Sequence, residues 1–178
     1  MAADSKGMRG RQTVRDMVLS MLAVGIVVWV GYLFLPHDAN GDPVHVVEYK
    51  VAAASAKRTA PYPLLSPEGL PDKWRATSVS YRPAADNNGK GNAWHLGFVT
   101  PSGQYAAIEQ SDVPRDSLLA DHVTGAKPDG TAEAGGRAWD RVQGEKARAL
   151  AVQTGPGATL LTGTASYEEL AELAQALK

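Results

Sequence analysis

Cysteine is absent from the 178-residue chain. That excludes disulfides, thiolate metal sites, iron–sulfur clusters, cysteine nucleophiles and a lipidated cysteine together. An excess of one charge sign is missing as well, since 18 Lys+Arg stand against 19 Asp+Glu. A general nucleic-acid binder needs a local surplus of cations to neutralise phosphates, so no nucleic-acid partner is expected. No period of 20–50 residues repeats, which argues against solenoids and propellers.

Charge is also missing from one stretch, and there its absence is informative. Met17–Leu35, MVLSMLAVGIVVWVGYLFL, runs nineteen residues without a formal charge. As a helix it would reach about 28 Å, close to the ~30 Å hydrocarbon core of a bilayer. Ser20, Gly25, Gly31 and Tyr32 are its few interruptions, and Trp29 and Tyr32 fall in the last turns, at headgroup depth. A buried soluble helix would be amphipathic instead. A cleaved signal peptide would need small residues at a cut site, and the Ala39/Gly41 pair is a poor one. An uncleaved transmembrane helix in the lipid bilayer is the expectation.

Lys6, Arg9, Arg11 and Arg15 precede this run, and the first basic residue after it is Lys50. The positive-inside bias puts the N-terminus in the cytoplasm and the C-terminal bulk outside the cytoplasmic membrane. The expected organisation is a basic tail at 1–16, the span at 17–35, a linker and juxtamembrane strand at 36–60, and an extracytoplasmic domain at 61–178. With the basic tail removed from the total, that external part is mildly acidic.

Within the external part, Val44–Val51 is β-branched and strand-like, while the following AAASAKRTA reads as extended or helical. Pro61, Pro63, Pro67 and Pro71 impose an extended approach. Trp74–Arg82, Trp94–Thr100 and Gln104–Gln110 are expected strands, the last two joined by a tight turn at Pro101-Ser102-Gly103. Pro114–Val123 is a short helix closed by Gly125, and Arg137–Val142, Ala147–Gln153 and Thr159–Gly163 are further strands. Ser166 and Glu169 form a capping box, followed by the stripe Tyr167, Leu170, Leu173, Ala174, Leu177. Strands, helix, strands, helix give an α+β class: one antiparallel sheet with two packed helices.

Motifs for chemistry are scarce. Gly89-Lys90-Gly91 lies in a polar loop between strands, without the helix that would aim N–H groups at phosphate. His37, Asp38, Asp42 and His45 are near in sequence but match no ligand spacing, so a linker is the better reading. There is no G-x-S-x-G elbow, and Ser166 serves as a cap. No cofactor, no metal and no catalytic residue are expected. An unrecognised hydrolase would require His95 or His122 within reach of both a serine and a carboxylate. Aromatic residues on strands ordinarily form core. The sharper alternative is a ligand- or partner-binding cleft lined by Trp94, His95, Tyr105 and Gln110.

Four motifs together carry a family resemblance: Leu70-Pro71-x-x-Trp74-x-Ala76-Thr77-Ser78, Trp94-His95-x-Gly97-x-Val99-Thr100-Pro101, Glu109-Gln110-Ser111 and Gly163-Thr164-Ala165-Ser166. With them the chain resembles the domain of unknown function 4245 family, single-span membrane proteins of actinobacteria. The resemblance supports the topology and implies no activity. The element order is also similar to a Mog1/PsbP-like sandwich, at the level of fold alone. The expected function is a non-catalytic binding or protein-interaction module tethered to the membrane, with an envelope or membrane protein as partner. A small-molecule or lipid carrier is the alternative.

Overall fold

The computed structural model describes residues 6–34 and 46–178, with side chains at 14–30 and 46–178. The chain forms two compact units, Met1–Asp42 and Pro43–Lys178. In the first unit a single 29-residue helix, α1, spans Lys6–Phe34. Its apolar side chains stand open: Met21, Val24, Val27, Val28 and Trp29 are each more than half exposed. Among the described residues no helix is long and apolar enough to cross a membrane. The expected span Met17–Leu35 continues past the last described side chain of α1. The four linker residues His37, Asp38, Asp42 and His45 lie outside the described residues.

The second unit is α+β. Its elements are α2 (Lys50–Thr59), β1 (Arg75–Arg82), β2 (Ala93–Val99), β3 (Tyr105–Ser111), α3 (Arg115–His122), β4 (Lys127–Ala134), β5 (Arg137–Gln143), β6 (Arg148–Thr154), β7 (Gly157–Gly163) and α4 (Tyr167–Ala176). The seven strands form one sheet in the order β1-β2-β3-β7-β6-β5-β4, antiparallel throughout. The expected meander β1–β2–β3 is present. Its second turn is closed by Thr100 N–H donating to the Gln104 carbonyl at 2.8 Å, with Gly103 at φ 80°. The capping box of α4 also forms, Ser166 accepting from Glu169 N–H while the Glu169 carboxylate accepts from Ser166 N–H.

Three expectations need correction. The strand expected at Val44–Val51 is not one in its described part: residues 46–49 are irregular and Lys50 opens α2. Alanine-rich KVAAASAKRT favours a helix, and tertiary packing of Ala53 and Ala56 rewards it. Because Ala53 and Ala56 sit in the main core, the folded unit begins before residue 61. Finally, three helices pack on the sheet rather than two, and β4 escapes detection by pattern. Its sequence KPDGTAEA is polar and holds Pro128 and Gly130, which a sheet tolerates at an edge with a bulge, here between Pro128 and Thr131.

Strand alternation divides the packing between two faces. On one face Trp94, Leu96, Phe98, Ile108, Trp139, Leu150 and Leu161 meet Leu170 and Leu173 of α4, with α2 and the proline-rich approach completing the layer. Tyr49 and Trp74 contact the Phe98 ring edge-on, at centroid distances of 5.7 and 6.0 Å. On the other face Leu118 and Val123, from α3 and the residue after it, pack on Val142, Ala149, Ala151, Ala158 and Leu160. β7 is buried along its whole length because neighbouring Leu160 and Leu161 serve the two cores separately.

Candidate functional site

α3 has only eight residues and packs on β7, β6 and β3, so it covers part of its face of the sheet. Over β1 and β2 the same face carries polar and small side chains. The register aligns them in rows: Arg82 with Ala93 and Ser111, Ser80 with His95 and Glu109, and Ser78 with Gly97 and Ala107. Large apolar residues are missing from these positions, which leaves a concavity of about 280 Å³. Arg82, Lys90, His95, Glu109, Asp121 and His122 are among the residues that line it.

One rim is the loop from Pro83 to Asn92. Asn92 folds it by donating from its backbone N–H to Asp112 Oδ1 at 2.7 Å and from its side-chain amide to Oδ2 at 2.6 Å. Its own Oδ1 accepts from Ala84 N–H at 3.1 Å. The opposite rim is α3, whose last residue is His122.

A hydrogen-bonded chain crosses the three strands. His95 Nδ1 lies 2.6 Å from Glu109 Oε1, and His95 Nε2 lies 2.7 Å from Ser78 Oγ. A carboxylate only accepts, so in the neutral imidazole Nδ1 carries the proton and Nε2 is left to accept from the Ser78 hydroxyl. His122 Nδ1 approaches the same Glu109 oxygen at 3.8 Å. The Glu109 carboxylate is mostly buried and the His95 ring about a quarter exposed.

Tyr105 adds a fourth group, its hydroxyl hydrogen-bonded to Ser78. Burial raises its pKa, the Ser78 hydrogen bond lowers it, and the Glu109 charge raises it again; the net shift is upward, so the phenol keeps its proton at neutral pH. Gly97 makes room for this meeting. A Cβ there would stand 2.5 Å from Ser78 Oγ and 2.6 Å from the Tyr105 oxygen. The arrangement can hold a small polar group by hydrogen bonding, and it can draw a proton from Ser78.

The four residues expected to share a cleft are divided by the sheet. Trp94 and Gln110 pair across β2 and β3 on the core side and are buried. Gln110 accepts from Leu65 N–H at 2.8 Å and donates to Thr159 Oγ1 at 3.0 Å, fastening the proline-rich approach to the sheet. His95 and Tyr105 face the open side. Ser78 and Glu109 belong to the constellation but were not singled out by their residue types. Period-two alternation along the β2–β3 hairpin is the signal that pairs His95 with Glu109. Among the described residues no three His, Cys, Asp or Glu side chains converge to hold a metal ion.

No curated protein matches the chain. A solved structure, the complex structure of Pseudomonas aeruginosa MucA/MucB, holds a chain similar to this one at 13% identity, with a TM-score of 0.36. The match covers 64% of this chain and 34% of that one, so this chain spans about a third of its length. At that level the likeness carries no functional argument, and the comparisons lend no support to the Mog1/PsbP-like resemblance. A family model settles the classification: it matches residues 9–177, and the chain belongs to the family described as protein of unknown function, DUF4245.

Proposed function

We propose that this is a single-pass membrane protein whose external domain is a binding module, with its ligand surface in the trough over β1, β2 and β3. The observation that carries the reading is the uncovered polar row His95–Glu109, flanked by His122, Arg82 and Lys90. Buried polar groups converging on a concavity are the usual mark of a small-molecule site. At about 280 Å³ the trough suits a small ligand. The larger hollow of about 470 Å³ beside α2 is crossed by bonds that hold the fold, such as Tyr49 Oη donating to the Pro67 carbonyl at 3.1 Å. A carrier with an apolar cavity draws no support from the core face, where Trp94 and Trp139 are at most 1% exposed.

The anchoring half of the proposal rests on the charge-free run Met17–Leu35, the cationic residues before it, and the open apolar side chains of α1. It puts the domain on the outer face of the cytoplasmic membrane, close to envelope or membrane proteins. A reporter enzyme fused after Lys178 is expected to be active outside the cell; activity confined to the cytoplasm overturns the orientation.

Binding is tested on the detergent-solubilised full-length chain by ligand-observed NMR with a panel of small carboxylates, esters and amines. Hits should weaken at least tenfold in both Arg82→Ala and His95→Gln. An empty panel, or hits indifferent to both changes, counts against the trough.

A further inference from the structure

We propose that the edge of the trough also performs chemistry: Ser78, which lies beside His95 and outside the lining of the hollow itself, is an activated nucleophile that cleaves a small carboxylic ester, with His95 as its general base and Glu109 as the positioning residue. This inference rests on the reading of the trough as the ligand site and adds a reaction to it. Nucleophile to base is 2.7 Å and base to orienting carboxylate is 2.6 Å, both within the about 2.6–3.2 Å that such relays use. The Ser78 hydroxyl is in reach of His95 Nε2, and His95 Nδ1–H donates to Glu109. The serine's proton is thereby aimed at the base.

Local backbone supports the same role. The β1–β2 register shifts between Ala76 and Ser78, and a bulge re-aims the side chain that follows it. Gly97 beneath Ser78 and Tyr105 has no Cβ, which leaves both hydroxyls free to meet. The Tyr105 phenol, protonated and 39% exposed in residue surface, can aim its O–H at an oxyanion formed on the substrate. One such donor typically contributes about 10²–10³ in rate. A single donor suits an ester, whose alkoxide leaves more readily than an amine, and the volume of about 280 Å³ suits a short acyl chain.

The step balances without a cofactor. Ser78 Oγ bonds to the ester carbonyl carbon as its proton passes to His95 Nε2, and Tyr105 donates to the carbonyl oxygen as it becomes an anion. Collapse breaks the carbon–alkoxy bond, and His95 returns the proton to the departing alcohol. Water then adds to the acyl-serine carbonyl, giving a proton to His95, and the acid leaves as Ser78 Oγ takes that proton back.

The test treats the detergent-solubilised full-length chain with a fluorophosphonate probe and with p-nitrophenyl acetate. One adduct by intact mass is expected, mapped to the peptide that contains Ser78 and absent from Ser78→Ala. His95→Gln and Glu109→Gln should slow labelling at least tenfold, with ester turnover losing kcat more than KM changes. Glu109→Asp should recover part of that kcat, which a purely structural role would not predict. A wild-type chain with no adduct, an adduct elsewhere than Ser78, or labelling unchanged by His95→Gln overturns the proposal. Mapping the wild-type adduct decides the matter even if a variant misfolds. No adduct alongside intact fragment binding overturns the chemistry alone, while loss of both also overturns the binding reading.

Discussion

Trp94 and His95 are consecutive residues of β2 that serve opposite faces of the sheet: the indole is 1% exposed in the main core, and the imidazole bonds Ser78 and Glu109 in the open trough. Their substitutions should therefore separate. Trp94→Ala is expected to cost about 3–5 kcal/mol, as large aromatic truncations in cores do. His95→Gln should cost about 1 kcal/mol or less, the net worth of exchanged hydrogen bonds. Urea denaturation of the 43–178 unit, followed by the fluorescence of the remaining tryptophans, measures both.

Two glycines of the sheet should respond differently to alanine. At Gly163 a Cβ would press on the Tyr105 carbonyl and stand 3.0 Å from Ala106 Cα, both backbone atoms of β3. Neither can swing aside, so Gly163→Ala should lose about 1–3 kcal/mol through overpacking. At Gly97 the obstructing atoms are the ends of the Ser78 and Tyr105 side chains, which can rotate away. Gly97→Ala should thus keep most of its stability and lose fragment binding, as read by melting curves and NMR.

Glu169 joins the first turn of α4 to the β2–β3 turn, accepting from Ser102 Oγ at 3.0 Å and from Ser166 N–H at 3.4 Å. Burial by itself raises its carboxyl, but hydrogen bonds involving Thr100, Ser102 and Ser166 outweigh that and hold it below its ordinary 4.5. A depressed folded pKa means that the charged form stabilises the fold above the unfolded value, and that this contribution is lost as pH falls through the folded value. Glu169→Gln should be about 1 kcal/mol less stable than wild type near pH 7. The difference should shrink as pH drops below the ordinary carboxyl value, and a gap that stays constant to pH 2 would contradict it.

The unit 43–178 should be more stable than 61–178. Shortening removes Ala53 and Ala56 from the core, the Tyr49 ring from Phe98, and the bond from Val47 N–H to the Ala76 carbonyl at 2.9 Å. Roughly 2–4 kcal/mol is expected from the apolar area and hydrogen bonds lost. Equal urea midpoints would show that α2 is dispensable.

Elements built on local rules were legible from residues alone. The S-x-x-E box predicts the start of α4, Pro101-Ser102-Gly103 predicts the turn between β2 and β3, and short strand-like runs divided by turn signals mark six of the seven strands. α2 and β4 were not legible, because each depends on a neighbour: α2 on the core that buries Ala53 and Ala56, β4 on pairing with β5 despite its proline and glycine. Grouping Trp94, His95, Tyr105 and Gln110 by residue type also ignored parity, which places Trp94 and Gln110 on one face and His95 and Tyr105 on the other.

The amino-acid order by itself determined the absence of cysteine chemistry, the charge-free run before the folded unit, the α+β class and most element positions, since these follow from composition and short-range periodicity. Only the tertiary structure decided where the site lies. Ser78, His95 and Glu109 come from three strands and His122 from a helix, and no local rule relates them. Sheet register pairs His95 with Glu109 and puts Ser78 in the adjacent row, within hydrogen-bond reach of the imidazole, and the shortness of α3 leaves that region of the face uncovered.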